Sequence, residues 1–211
     1  MTHSALDIHA HAGSPTELGV GARFSLFPMT DGFVDVILDA LDAADASDVT
    51  VQTDDVSTYV VGDEQAIVRY LVEVLRRAAQ QTSTGHVVAS IMLSRGCPGE
   101  VTCEIGDDVA LAPAQPFELA STGVAVAAHW SLYPLGADDH LTVIEAAVEQ
   151  AREAGVYAGS EHYATRLEGD LAKVLGTVAA AWTTIGATVQ HVTTHVTVSI
   201  GSPTPRPGGD R

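Results

Sequence analysis

Two short stretches carry side chains able to bind as well as pack: RFSLFP at residues 23–28 and HWSLYP at residues 129–134. On a β-strand, alternate residues share a face. Arg23, Ser25 and Phe27 therefore stand together, as do His129, Ser131 and Tyr133. Each set offers a cationic or ionisable group, a hydroxyl and an aromatic ring. A third stretch, HVTTHVTVSI at 191–200, alternates in the same way. Thr193, His195, Thr197 and Ser199 lie on one face, opposite Val192, Thr194, Val196 and Val198. Hydroxyls donate or accept hydrogen bonds. Aromatic rings stack on flat groups or sit under cations. Such a face suits a flat heteroaromatic ligand. The competing reading is ordinary strand chemistry, with Ser and Thr as filler and the rings as core.

No nucleophile elbow, P-loop, HExxH or Rossmann fingerprint is present, so neither a catalytic residue nor a cofactor is expected. His129, His162 and His195 invite a metal reading. Their counterparts earlier in the chain are Arg23, Asp55 and Ser90, which excludes a duplicated metal site. A metal-dependent enzyme using the three histidines stays as an alternative. His3, His9 and His11 belong to the leader. The carboxylate pairs Asp54–Asp55 and Asp138–Asp139 read as a turn and a helix cap. Cys97 and Cys103 form no CxxC and are expected as free thiols, with a local disulfide as the alternative.

The 211 residues carry a net charge of −17, with Lys173 as the only lysine. Such a chain repels phosphate backbones, so nucleic acid is not an expected partner. It tolerates a cationic small molecule. No window reaches the roughly 18 uninterrupted apolar residues of a membrane span. The N-terminus lacks a basic start and an apolar core, so no signal peptide is read there. The expected location is cytoplasmic.

The two aromatic–Ser–Leu–aromatic–Pro stretches belong to a longer duplication. TDDVSTYVVGD at 53–63 matches SEHYATRLEGD at 160–170, with Thr58 on Thr165 and Gly62–Asp63 on Gly169–Asp170. HVVASIMLSRGCP at 86–98 matches HVTTHVTVSIGSP at 191–203. The offsets are 106, 107 and 105 residues, in the same order along the chain. The division predicted is a flexible leader at 1–19, repeat 1 at 20–98, a linker at 99–123, repeat 2 at 124–203 and a disordered tail at 204–211. In each repeat, a short aromatic strand precedes an amphipathic helix. Two strands about an acidic turn follow, then a second helix and a closing strand. Thr30–Asp31 is the expected cap of the first helix, and Asp63–Glu64 suit the start of the second. The order βαββαβ is the ferredoxin-like unit, an α+β fold with a four-stranded antiparallel sheet. The helix-free face looks too apolar to stay wet. It is expected to pack on the other repeat, a second subunit or a ligand.

GARFSLFPMTDGFVDVI, TDDVSTYVVGD, SRGCPG, SLYP and HYATRLEGD together resemble the YkoF family of thiamine- and hydroxymethylpyrimidine-binding proteins. The resemblance runs from about residue 20 to 203. It implies tandem ferredoxin-like (ACT-like) repeats and a homodimer that binds a small molecule without catalysis. Its role would be thiamine-precursor uptake or salvage, with hand-off to a transporter or kinase of that pathway. It implies a pyrimidine pocket in each repeat, with Thr58 and Thr165 as ligand contacts. Arg23, Ser25, His129 and Ser131 match the segment lining the pocket, His129 standing where the family carries glutamine. His195 joins the candidate set from the strand pattern alone. The alternative within this fold is an ACT-like regulatory module for another effector.

Overall fold

The computed structural model describes residues 11–12, 14–97, 109–110 and 116–204. Repeat 1 runs β2 (Gly21–Pro28), α1 (Phe33–Ala43), β3 (Val49–Thr53), β4 (Thr58–Gly62), α2 (Glu64–Gln81) and β5 (Val87–Arg95). Repeat 2 runs β7 (Ala125–Leu135), α3 (His140–Glu153), β8 (Tyr157–Glu161), β9 (Ala164–Asp170), α4 (Leu171–Gly186) and β10 (His191–Ile200). Two further short strands, β1 (His11–Ala12) and β6 (Val109–Ala110), pair in parallel. Both repeats are ferredoxin-like. Among the described residues, no helix is long and apolar enough to cross a membrane.

The repeats share one antiparallel sheet in the order β3-β4-β2-β5-β10-β7-β9-β8. They join edge to edge through their closing strands and do not stack face to face. Of the three covers expected for the helix-free face, the other repeat is thereby ruled out. At the junction, Ile91 pairs with Val196, its own counterpart at the 105-residue offset. Leu93 pairs with Thr194 and Ala89 with Val198, each the mirror of the other. A pseudo-twofold axis therefore passes between Ile91 and Val196, both fully buried. The pairing has the self-complementary logic of an isologous dimer interface.

The helices lie on one face, and α2 touches α4 across the junction. Phe24, Leu26, Ile91, Trp130 and Val196 point into the resulting core. Asp63 caps α2 by accepting from Ala66 N at 2.7 Å, and Asp139 caps α3 by accepting from Thr142 N at 3.1 Å. At α1 the cap position is Gly32, without a side-chain bond, and not Thr30–Asp31.

Parts of the leader and of the linker pack on the repeats. Leu18 of the leader is buried, and its carbonyl accepts from Gly96 N at 2.8 Å. The end of the linker, with Phe117 and Leu119, packs against the core. There the Asp170 carboxylate accepts from the backbone of Thr122 and Gly123 and from the Ser121 and Thr122 hydroxyls. Those bonds hold its carboxyl below the ordinary range against the opposing effect of burial. Cys97 is disulfide-bonded, where a free thiol was expected. Residues 98–108, which include Cys103, residues 111–115 and the tail from 205 lie outside the described residues.

Candidate ligand-binding site

Strand parity sorts the candidate residues. Phe24 of β2 pairs with Thr58 of β4, and Trp130 of β7 pairs with Thr165 of β9. Paired residues point to the same side of a sheet. Thr58 and Thr165 thus join the buried aromatics on the helix side. Arg23, Ser25, His129, Ser131 and His195 have the other parity and face away from the helices.

At the sheet's two outer flanks the faces meet again. In repeat 1 a cavity of about 190 Å3 lies between β2, α1 and the β3–β4 turn. Phe24, Ser25, Phe27, Ile37, Val56 and Thr58 are among its walls. In repeat 2 a cavity of about 420 Å3 is lined by Trp130, Ser131, Tyr133, Ile144, Tyr163 and Thr165. These six are the counterparts of the first six, at offsets of 106 or 107. Leu41 and Val148 extend the match. One cavity has been duplicated with the fold.

Each cavity has an apolar floor, a serine and a threonine at matched strand positions and an aromatic ring at the mouth; Thr53, Asp54, Asp55 and Ser57 also line the first, and Glu161 the second. The serines reach the turn opposite: Ser25 Oγ donates to Val56 O at 3.0 Å, and Ser131 Oγ donates to Tyr163 O at 3.2 Å. Thr58 is 5% exposed and bonds the Thr53 hydroxyl at 3.1 Å. Trp130 Nε1 donates to Thr194 Oγ1 at 2.7 Å, which fixes the indole plane. Phe27 and Val56 are the exposed apolar residues lining the first cavity, and Tyr133 and Tyr163 those lining the second. A chamber with an apolar floor, hydroxyls and carboxylates among its walls and a ring at its mouth suits a flat ligand with a polar edge.

The family model described as "YKOF-related Family" matches residues 19–100 and again 125–205, one copy on each repeat. The chain belongs to the YkoF-related family. It is 33% identical over 186 residues to "Putative HMP/thiamine-binding protein YkoF" of Bacillus subtilis (strain 168), where HMP is hydroxymethylpyrimidine. That match covers 87% of this chain and 90% of the relative.

In this YkoF-family chain, four of the seven candidate residues line the cavities: Ser25, Thr58, Ser131 and Thr165. Arg23, His129 and His195 line neither. Arg23 Nη1 instead donates to Asp54 Oδ2 at 3.1 Å and to Ser57 Oγ at 2.8 Å, and its guanidinium lies 5.2 Å from the Tyr59 ring centre. His129 is exposed on the open face. His195 sits on the pseudo-twofold axis, with Nε2 3.0 Å from Ser90 Oγ, its own counterpart in repeat 1. Among the described residues, no group of three His, Cys, Asp or Glu side chains is placed to share a metal ion. Strand periodicity alone missed Ile37, Ile144 and the turn residues Val56 and Tyr163. The 107-residue match of TDDVST to SEHYAT was the signal that could have found the turns.

Proposed function

We propose that the chain binds thiamine or its hydroxymethylpyrimidine moiety without catalysis, one ligand in each matched cavity. The duplicated pairing of a serine, a threonine and a mouth aromatic over an apolar floor carries this reading. The aminopyrimidine is flat and has ring nitrogens and an amino group for the hydroxyls to bond. The mouth aromatics offer a stacking surface. The net charge of −17 favours the cationic thiazolium of thiamine over an anionic ligand.

The cellular role is that of a cytoplasmic binding protein in thiamine-precursor uptake or salvage, handing its ligand to a transporter or kinase. The working unit is a homodimer, with Met92 among the exposed apolar residues of the helix-free face offered to a second copy. Sedimentation at micromolar concentration tests that assembly, and a monomer refutes it.

A thermal-shift series with thiamine and with hydroxymethylpyrimidine tests the binding reading. At a free ligand concentration 100 times the dissociation constant, stabilisation is about 2.7 kcal/mol. Unchanged melting at saturating levels of both compounds overturns the proposal. The Thr58→Val and Thr165→Val variants keep side-chain shape and remove the hydroxyls, so they weaken binding while leaving the melting of the free protein nearly unchanged.

A further inference from the structure

A further cavity, of about 750 Å3, opens on the helix side between the end of α1, helix α2 and the linker at 118–122. It shares no wall residue with the two cavities described above. Helix α2 sets Arg69, Glu73, Arg76 and Arg77 into its wall at helical spacing. Three of the chain's ten lysines and arginines thus meet at one cavity, in a protein of net charge −17.

Glu73 organises two of the three. It accepts from Arg76 Nε at 2.9 Å and Nη2 at 2.6 Å, and from Arg77 Nε at 2.7 Å. Arg76 Nη1 donates to Gln80 at 3.1 Å, so that guanidinium is fully engaged. Arg77 is not: its Nη1 and Nη2 fork bonds no described residue. Arg69 gives Nη2 to Asp48 at 2.6 Å and leaves Nε and Nη1 without a described partner. Tyr70, in the same wall, is 2% exposed, and its hydroxyl bonds no described residue. Burial, and then the Asp42 carboxylate, push the pKa of that hydroxyl up, so it stays a donor. Asp45 and Glu118 stand exposed at the rim; deeper in, two guanidinia flank the one carboxylate of Glu73. Helical ion pairing alone explains Glu73 beside Arg76 and Arg77. It does not explain an unbonded guanidinium fork and an unbonded, buried phenol at one cavity, where each costs free energy until a partner arrives.

We propose that this cavity binds a phosphate monoester of a small organic molecule, with the Arg77 fork, Arg69 and Tyr70 on the phosphoryl oxygens and Val72 and Leu119 against the organic body. A guanidinium fork matches the geometry of phosphate or carboxylate. Two incompletely bonded guanidinia and a neutral donor favour the dianion. The volume leaves room for a body beyond the phosphate. The site is independent of the pyrimidine reading and belongs to repeat 1 alone. At the 107-residue offset, Arg69, Tyr70, Glu73, Arg76 and Arg77 become Gly176, Thr177, Ala180, Thr183 and Thr184.

Calorimetric titration of the full chain with phenyl phosphate, inorganic phosphate and benzoate, in a phosphate-free buffer, tests the site. Phenyl phosphate is expected to bind one to one and the tightest of the three. Arg77→Gln and Tyr70→Phe should each weaken it by about tenfold, the effect of one hydrogen bond to a charged group. Tyr70→Phe keeps the ring in the wall, so its loss of binding belongs to the hydroxyl. Arg152→Gln, at an exposed arginine of α3, should change nothing. The melting of each free variant shows that it is folded. No heat with any of the three anions overturns the site, as does an Arg77→Gln or Tyr70→Phe protein that binds like wild type. An equal loss in Arg152→Gln assigns the heat to general charge and overturns it too. Benzoate as tight as phenyl phosphate overturns the phosphate assignment, and inorganic phosphate as tight overturns the organic body. Saturating hydroxymethylpyrimidine should leave phenyl phosphate bound. Displacement would place the anion in the pyrimidine cavities and overturn a separate site.

Discussion

The two repeats agree where they meet and differ where they face outward. Along the pseudo-twofold axis the matched residues are interchangeable in role: Ile91 with Val196, and Gly96 with Gly201. Away from it the copies diverge in kind. Helix α2 carries Arg69, Glu73, Arg76 and Arg77, whereas α4 carries Gly176, Ala180, Thr183 and Thr184 in their places. The floor of one cavity is Phe24 beside Ala89; that of the other is Trp130 bonded to Thr194. An isologous seam constrains both copies at once, because each strand is the other's partner. The flanks have no such coupling and are free to specialise.

The sharpest way to break this comparison is at the matched glycines. Gly96 has φ 96, and a Cβ there would lie 2.7 Å from His191 Cα and against Gln190 O. Gly201 has φ 62, and a Cβ there would lie 2.8 Å from the Gly85 carbonyl carbon. Gln190–His191 and Gly85–His86 are counterparts, so each repeat's exit glycine packs on the entry of the other repeat's closing strand. Gly96→Ala and Gly201→Ala should each cost about 3 kcal/mol or more in urea unfolding, from strain and backbone overlap together. Gly136→Ala is the control, with φ 82 and open space around the position. It should cost only about 1 kcal/mol. If one exit glycine accepts alanine and the other does not, the two ends of the seam are not equivalent.

The same glycines show how far the sequence could be read. The repeats, the βαββαβ order and the helices near 138–154 and 169–187 follow from matched blocks and periodicity, because each repeat must satisfy its own helices and strands. The seam was hidden. Both HVVASIMLS and HVTTHVTVS alternate cleanly, and alternation fixes which face is buried but not which edge is paired. The site was half legible. Ser25 and Thr58 are both expected at one pyrimidine pocket, yet the Phe24–Thr58 register sets them on opposite faces. They share a cavity only because the β3–β4 turn curls over the strand's end. His195 looked like a site residue because an imidazole among threonines is chemically conspicuous; its partner is the seam.

A middle-sized effect separates the two cavity floors. Thr194 is fully buried, accepts from the Trp130 indole and donates to Ser131 O at 3.0 Å. Thr194→Val keeps the shape and strands a buried N–H, at a cost of about 1–3 kcal/mol. Tryptophan emission should report a changed Trp130 environment, and binding at repeat 2 should weaken because the ring loses its fixed plane. Ala89, the counterpart, has no such bond to lose. A Thr194→Val protein as stable as wild type would mean that the indole finds another acceptor, and the floors would differ in size alone.

The smallest effect tests the helices. Glu73 lies between Arg76 Nη2 at 2.6 Å and Arg77 Nε at 2.7 Å. The Arg76 bond is the largest influence on its carboxyl, which is lowered from 4.5 to about 2. A carboxyl depressed on folding stabilises the fold above its unfolded value and ceases to as the pH falls to its folded value. Glu73 should therefore contribute in full above pH 4.5 and nothing below about pH 2. Its side chain is 28% exposed, so solvent screening holds the contribution to about 1 kcal/mol. Unfolding of Glu73→Ala beside wild type should show that gap at pH 7, closing steadily between pH 4.5 and 2. Because Ala180 occupies the matching place in α4, repeat 2 has no equivalent term, and the acid limb of the difference belongs to α2 alone. A gap independent of pH would assign the loss to helix packing and remove charge from the contrast between the repeats.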